Sequence, residues 1–282
     1  MVRSSSSPSN IRLQGKVTNT SSADGSIASG PVALDTLTLS SLHLPNATLE
    51  LANASSPGLL TSGASGVLGL ARDLPTSTTP FTVPSVKDRL AEAGIAFLTI
   101  DLDEGGGSYS LAAEHGQRGV HWVESHGDHW SVDVTDFHTG NTPQTDGFEG
   151  VIDSGTTLLL VPSDHAAAYW TDVPRARLDH LQGMWLFPCA SKPELPDLTM
   201  TVGGYKAVVA GKHLDFGSVE ERSGGTGGGG PGEEMCYGGL QSSDGLGVQA
   251  ILGDVFLKSQ VVVLGLEDGK VGFAGKSGGG SE

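Results

Sequence analysis

Apolar and polar residues alternate over short stretches of this chain, in the pattern of half-buried β-strands. Residues 130–134, Trp-Ser-Val-Asp-Val, show this alternation most clearly. Apolar runs at 34–44, 66–70 and 96–102 also predict strands, and the glycine turn at 104–107 ends the last of them. Many short strands joined by glycine turns predict an all-β protein.

Helical spacing is confined to two short stretches. In residues 85–93 apolar side chains recur every three to four positions, and Gly94 follows as a C-terminal stop. Residues 163–169 have the same character, with Ser163 in the position of an N-cap. We therefore expect only a few short helices beside the strands.

Net charge and hydropathy exclude two classes of partner. The 282 residues include 16 basic and 32 acidic side chains, which give a formal charge of −16. Such a charge repels nucleic acid and anionic membrane surfaces. No run approaches the roughly eighteen apolar residues of a membrane span. We expect neither a nucleic-acid partner nor a transmembrane segment, and the acidic balance fits both simple solubility and work in acid.

Cysteines and glycosylation sequons bear on the compartment. Cys189 and Cys236 lack the Cys-x-x-Cys spacing of zinc or redox sites, which leaves one disulfide or two free thiols. The N-terminus has no apolar segment of the signal-peptide type, so no signal peptide is predicted in this chain. Asn-x-Ser/Thr sequons nevertheless favour glycosylation on a secreted or vacuolar route. They lie at Asn19, Asn46 and Asn53.

Low-complexity segments mark the ends of the folded part. Residues 1–10 are serine-rich and are predicted to be disordered, and residues 276–282 form a flexible glycine-rich tail. Residues 223–234 are also rich in glycine and predict a mobile loop between the two cysteines.

The most informative motif is Asp153-Ser154-Gly155-Thr156, which lies between two apolar, strand-forming runs. A tight turn in this context aims an acid away from the strands, although on its own it also fits an ordinary Asx turn. A second motif, Ile251-Leu252-Gly253, follows about 100 residues later.

Together these motifs resemble the second lobe of pepsin-like aspartic peptidases of the fungal type. Further segments match the family in order, so the resemblance covers residues 15–274. They are 65–71, 195–204, 271–274 and a flap-like segment at Ser22, Ala23, Asp24, Gly25 and Ser26, where the family has Tyr-Gly in place of Ser22-Ala23.

The resemblance implies a bilobal pepsin-like acid protease fold. We place the N-terminal lobe with its flap in residues 11–123 and the C-terminal lobe with the catalytic loop in residues 124–275. Asp153 precedes Gly253 by 100 residues, so at the same spacing the aspartate that belongs with Gly69 would lie about thirty residues before the start of the chain. We therefore expect an incomplete first lobe without its Asp-Thr-Gly loop.

The resemblance implies an aspartic endopeptidase, in which two aspartates share a proton and activate a water against a peptide or protein substrate. Asp153 is the expected catalytic residue, and Ser154, Gly155 and Thr156 are expected to support its loop. No cofactor is implied. With a single such aspartate, the chain alone is expected to be inactive. The family's disulfide would join Cys189 and Cys236.

Two other interpretations stay open. A non-catalytic module of the same fold would bind peptides without cleaving them. Two copies of the chain could also pair so that each supplies Asp153, but the remnant of the first lobe obstructs such pairing, and we expect a monomer.

A metal site is not predicted. The histidines at 121, 126 and 129 lie in a predicted strand and turn and lack the His-Glu-x-x-His spacing of a helical zinc site.

Overall fold

The structure is a computed structural model of the 282-residue chain. The flap segment, most of the glycine-rich loop, and the predicted disorder at 1–10 and beyond 276 lie outside the residues it describes, so those expectations stay predictions. The described residues are 11–21, 27–56, 66–71, 78–79, 84–139, 142–144, 146–219 and 234–276.

Contacts divide the chain into two compact units. The smaller contains Met1–Ala96 with Ala112–Glu114 and Gly127–His129, and the larger contains the rest. The described elements of the smaller unit are β1 (Ile11–Ser21), β2 (Ile27–Leu39), β3 (Leu42–Glu50), β4 (Ala54–Ser55), β5 (Thr78–Thr79) and α1 (Val86–Glu92).

The sheet of the smaller unit has the order β3-β2-β1-β5, with β4 paired to β2. Val32, Leu44 and Leu90 are buried in its core. The predicted helix at 85–93 is confirmed as α1. Its N-terminus is stabilised by a capping box, in which the side chains of Ser85 and Asp88 each accept from the other residue's amide.

Two strand predictions in this unit are corrected. The run at 34–44 is the end of one strand and the start of the next, because the chain turns at Ser40, whose φ is 56°. Residues 66–70 form no strand, and Val67 and Leu68 are 81% and 43% exposed. No described strand pairs with this segment, and an apolar run without a ladder partner does not become a strand.

The larger unit carries most of the secondary structure. Its strands are β6 (Phe97–Asp103), β7 (Gly106–Ala112), β8 (His121–Glu124), β9 (Ser131–Thr139), β10 (Thr142–Gln144), β11 (Phe148–Ile152), β12 (Leu159–Val161), β13 (Arg177–Asp179), β14 (Met184–Pro188), β15 (Leu198–Val202), β16 (Tyr205–Val209), β17 (Asp215–Ser218), β18 (Met235–Gly238), β19 (Leu240–Ser242), β20 (Ala250–Leu252), β21 (Gln260–Gly265) and β22 (Lys270–Gly275). Its helices are α2 (Ser163–Thr171), α3 (Asp254–Leu257) and the 3₁₀ segments Cys189–Glu194 and Gly211–Leu214.

These strands form three sheets, which confirms the predicted all-β class. The largest has the order β16-β15-β9-β11-β20-β12-β19, with β10 on the edge of β9. The others have the orders β13-β14-β18-β17 and β7-β6-β21-β22-β8. Residues 260–265 are buried throughout, because β21 lies between β6 and β22 in the middle of its sheet.

Residues 97–111 group with the larger unit because β6 pairs with β21, near the C-terminus. This contact division falls at a different place from the predicted boundary between residues 123 and 124. That boundary concerned the catalytic lobes and stays a prediction.

The predicted helix at 163–169 is confirmed as α2, but its cap is not Ser163. Pro162 occupies the N-cap position, and its carbonyl accepts from the amides of His165 and Ala166. Proline has a fixed φ suited to a helix start, so the helix begins one residue earlier than the serine signal suggested. At the other end Trp170 is buried, stacks on Phe187 and donates to the carbonyl of Leu240.

No helix in the described ranges is both long enough and apolar enough to cross a bilayer.

Candidate active site

Asp153 follows directly after a central strand of the largest sheet. β11 runs parallel to β20, with Ile152 opposite Leu252. The amide of Asp153 donates to the carbonyl of Leu252 at 3.3 Å, which extends the ladder to the aspartate itself. A strand pair in the middle of a sheet is rigid, so the backbone of Asp153 is held at a defined point.

The carboxylate of Asp153 is oriented by two donors from its own loop. The amide of Gly155 donates to Oδ1 at 2.8 Å, and the hydroxyl of Thr156 donates to Oδ2 at 2.7 Å. A β-carbon on Gly155 would lie 3.0 Å from Oδ1, so glycine lets the backbone come close to the carboxylate. This is an Asx turn, as the ordinary interpretation of the motif required, but it carries an additional hydroxyl donor on the second oxygen.

A second turn encloses this loop from the side of β20. The amides of Asp254 and Val255 donate to the carbonyls of Thr156 and Thr157 at 2.8 and 3.1 Å. A β-carbon on Gly253 would lie 2.3 Å from the carbonyl oxygens of both Thr156 and Leu158. The Ile-Leu-Gly motif therefore joins the aspartate loop through a contact that only glycine permits.

Asp254 is the carboxyl group that directly follows the Ile251-Leu252-Gly253 motif. Its Oδ1 is buried and has no hydrogen-bond partner among the described residues. Burial raises the pKa of this carboxyl, the charge of Lys258 lowers it, and the charge of Asp153 raises it further. The two aspartates thus interact electrostatically, a relation that becomes visible only when the two turns are seen together.

The remaining predicted site residues fall into three groups. Ser154 is half-buried, and its hydroxyl makes no hydrogen bond within the described part of the chain. The flap residues Ser22, Ala23, Asp24, Gly25 and Ser26 lie outside the described residues. Asn46 and Asn53 are exposed, whereas nothing is described of the side chain of Asn19.

The disulfide implied by the resemblance is present. Cys189 and Cys236 are bonded, with a sequence separation of 47 residues. The bond joins the 3₁₀ segment after β14 to β18, which pairs with β14.

The histidines considered for a metal site contact different partners. His121 lies beside the carbonyl of Gly203, and His126 lies between the carboxylates of Asp133 and Glu149. Among the described residues, no group of three or more potential metal ligands converges.

An all-β fold that packs an Asp-Ser-Gly-Thr loop against an Ile-Leu-Gly turn is typical of acid proteases, whose active sites contain a pair of aspartate loops. The sequence model described as "Eukaryotic aspartyl protease" matches residues 2–276. The chain therefore belongs to the eukaryotic aspartyl protease family.

Individual relatives are fungal enzymes. Penicillopepsin-1 of Penicillium rubens is 30% identical, over 96% of this chain and 67% of the relative. Aspergillopepsin-1 of Emericella nidulans is 33% identical, over 95% and 66% respectively. The chain thus spans about two thirds of the length of these curated relatives. The crystal structure of an aspartic proteinase from Irpex lacteus has a TM-score of 0.78 at 21% identity, and covers 96% of this chain and 84% of its own, which shows the shared fold.

Proposed function

We propose that Asp153 is one of the two aspartates of an acid endopeptidase site. The observation that supports this is the positioning of its carboxylate, which has one donor on each oxygen and a backbone fixed by β20. Such a carboxylate can take the proton of a bound water while a second, protonated aspartate donates to the carbonyl of a peptide bond. The substrate is a peptide or protein.

The same proposal predicts that the 282-residue chain alone does not cleave. Within its sequence, Asp-Ser/Thr-Gly occurs once, at Asp153. Proton sharing is a property of a pair of carboxylates and not of one. A single aspartate lacks the partner that would supply the proton, so the acid step and the base step cannot both be served.

The test is cleavage of an unfolded protein substrate in acid by the purified chain and by Asp153→Asn. We expect no cleavage by either protein above that of buffer. Strong cleavage that D153N abolishes would support the catalytic role of Asp153 and contradict the inactivity of the single chain. Cleavage that survives in D153N would remove Asp153 from the mechanism.

The single Asp-Ser-Gly motif also favours a second function, peptide binding without turnover. In that case a peptide-like inhibitor such as pepstatin binds the chain in a saturable manner, and D153N weakens this binding because the carboxylate no longer accepts from the ligand. Calorimetry with the two proteins distinguishes this module from a chain that neither binds nor cleaves.

We further propose a secreted or vacuolar, glycosylated monomer. Two exposed sequons, at Asn46 and Asn53, and the disulfide support an oxidising route. Expression through a eukaryotic secretory pathway should give a product whose mass falls after enzymatic deglycosylation, and the mass should not fall in the double variant N46Q/N53Q if these two sites carry the glycans. Light scattering should give the mass of one chain, and a stable dimer would contradict the monomer.

A further inference from the structure

The smaller unit contains a segment similar to the one that encloses the aspartate loop in the larger unit. Residues 66–69 are Gly-Val-Leu-Gly, and residues 250–253 are Ala-Ile-Leu-Gly. When the two segments are aligned on their last glycine, apolar residues occupy the same two positions in each. Their surroundings can therefore be compared position by position.

The apolar residues of the two segments differ in burial. Ile251 and Leu252 are 4% and 0% exposed, because β20 lies between β11 and β12. The corresponding Val67 and Leu68 are 81% and 43% exposed, and no strand of the described residues pairs with them. Exposed apolar side chains on an unpaired stretch of backbone are a template on which another strand can pair.

The glycines that end the two segments differ in the same way. A β-carbon on Gly253 would lie 2.3 Å from the carbonyl oxygens of Thr156 and Leu158, so glycine is required for this contact with the aspartate loop. At Gly69 no described atom lies within 4 Å of an added β-carbon, and φ is outside the left-handed region. Neither its conformation nor a described neighbour thus accounts for this glycine. A loop that approaches it closely would account for it.

The segment that covers β20 shows what fits such a site. Residues 148–161 consist of β11, the Asp153 turn and β12. β11 runs parallel to β20 and β12 runs antiparallel to it, so one continuous segment covers both edges of β20. Asp-Ser/Thr-Gly occurs once in the sequence, at Asp153, and this turn is already packed against β20. An occupant of the same kind for residues 66–69 therefore has to come from another polypeptide.

We propose that residues 66–69 bind a strand-turn-strand segment of another polypeptide, in which an Asp-Thr-Gly or Asp-Ser-Gly turn joins two apolar strands. Its strands pair with the backbone at Val67 and Leu68 and cover these two side chains, and its turn packs on Gly69. Main-chain hydrogen bonds provide affinity in this mode of binding, and side-chain packing provides specificity. The inference rests on the proposed function and extends it, because it names a class of partner that carries a second aspartate.

The experiment is fluorescence anisotropy with the full 282-residue chain and a labelled synthetic peptide. The peptide copies residues 148–161, with lysines added at both ends for solubility, and a control peptide has the same composition in scrambled order. We expect saturable binding of the first peptide and at least about tenfold weaker binding of the second. No saturable binding, or equal binding of the two peptides, would overturn the proposal.

Two glycine variants provide the matched comparison. No described atom lies within 4 Å of a β-carbon on Gly66 or on Gly69, so Gly66→Ala and Gly69→Ala should both leave the fold intact. Gly66 corresponds to Ala250, which carries a β-carbon in the covered segment, so G66A should change the affinity by less than about twofold. G69A should weaken binding about tenfold or more, because its β-carbon occupies the space of the approaching turn. Equal affinities of the two variants would contradict the proposal.

Two further measurements keep the outcome unambiguous. Circular dichroism checks the fold of each variant, and if G69A is misfolded, Leu68→Ser decides: it should weaken binding about threefold to tenfold, and an unchanged affinity would overturn the site. Light scattering without peptide tests the other occupant, since a dimer that G69A abolishes would assign residues 66–69 to a second copy of the chain and overturn the proposal. Because the readout is binding and not cleavage, a failure here leaves the catalytic role of Asp153 intact, and an inactive chain can still bind.

Discussion

At the scale of single residues, Thr156 holds one oxygen of the Asp153 carboxylate. Its hydroxyl donates to Oδ2 at 2.7 Å. Thr156→Val keeps the shape of the side chain but leaves this oxygen without that donor, so we expect the free energy of unfolding to fall by about 1–2 kcal/mol. Thr156→Ser keeps the hydroxyl and should lose clearly less. Urea unfolding of the three proteins measures the difference, and equal losses in the two variants would show that the bond contributes nothing.

Asp254 gives the site a dependence on pH. Burial raises the pKa of its carboxyl, so the folded state holds this proton more tightly than the unfolded state does. Stability from this group is therefore fully present below the unfolded pKa, near 3.8, and is lost as the pH rises through the higher folded value. Asp254→Asn removes this titration. The free energy of unfolding of D254N should therefore rise relative to that of wild type as the pH is raised from 3.5 to 7.

The measurement for Asp254 is urea unfolding of wild type and D254N at both pH values. Asp128→Asn, at an exposed position, is the control for loss of one charge. A difference between wild type and D254N that is the same at both pH values would contradict the prediction.

The turn at Asp153 could be predicted from the sequence because its signal is local: an acid in a turn between two apolar runs. The environment of Asp254 could not be found in this way. Its burial depends on the close approach of Gly253 to the loop at 156–158, and this loop lies almost a hundred residues earlier in the chain.

At the scale of elements, Gly253 joins the end of β20 to the aspartate loop. A β-carbon there would lie 2.3 Å from two carbonyl oxygens, of Thr156 and Leu158, and backbone atoms cannot move aside as a flexible side chain can. Gly253→Ala should therefore destabilise the protein by about 3 kcal/mol or more. Gly275→Ala is the matched control, because nothing lies within 4 Å of its added β-carbon. If thermal or urea unfolding shows similar losses for both, the fit of the two loops is looser than the distances indicate.

Elements were predictable where their cause is local. α1 was predicted from the apolar spacing within residues 85–93 and from Gly94, which has a φ of 75°, since both signals lie in the sequence of the helix and its end. Residues 66–70 were wrongly predicted as a strand, because a strand also needs a partner that no local pattern supplies. The cap of α2 was misplaced by one residue, since a serine beside Pro162 imitates an N-cap.

At the scale of the whole molecule, the family resemblance predicted the disulfide, which the spacing of the cysteines alone did not. Spacing alone left Cys189 and Cys236 as either a disulfide or two thiols. The number of residues between the two cysteines does not say how far apart they lie in space. It is the pairing of β14 with β18 that brings them together.

The disulfide sets the last expectation at this scale. It closes a loop between two residues whose sequence separation is 47. By the entropy that such a closure removes from the unfolded chain, Cys189→Ala with Cys236→Ala should lower the free energy of unfolding by about 4 kcal/mol, within the roughly 2–5 kcal/mol usual for native disulfides. Because the effect acts on the unfolded chain, the wild-type protein unfolded in the presence of a reductant should lose a similar amount. Urea unfolding of the oxidised, reduced and double-alanine proteins makes the comparison. A loss in the double variant alone would assign the effect to packing around the buried Cys236 and not to the covalent link.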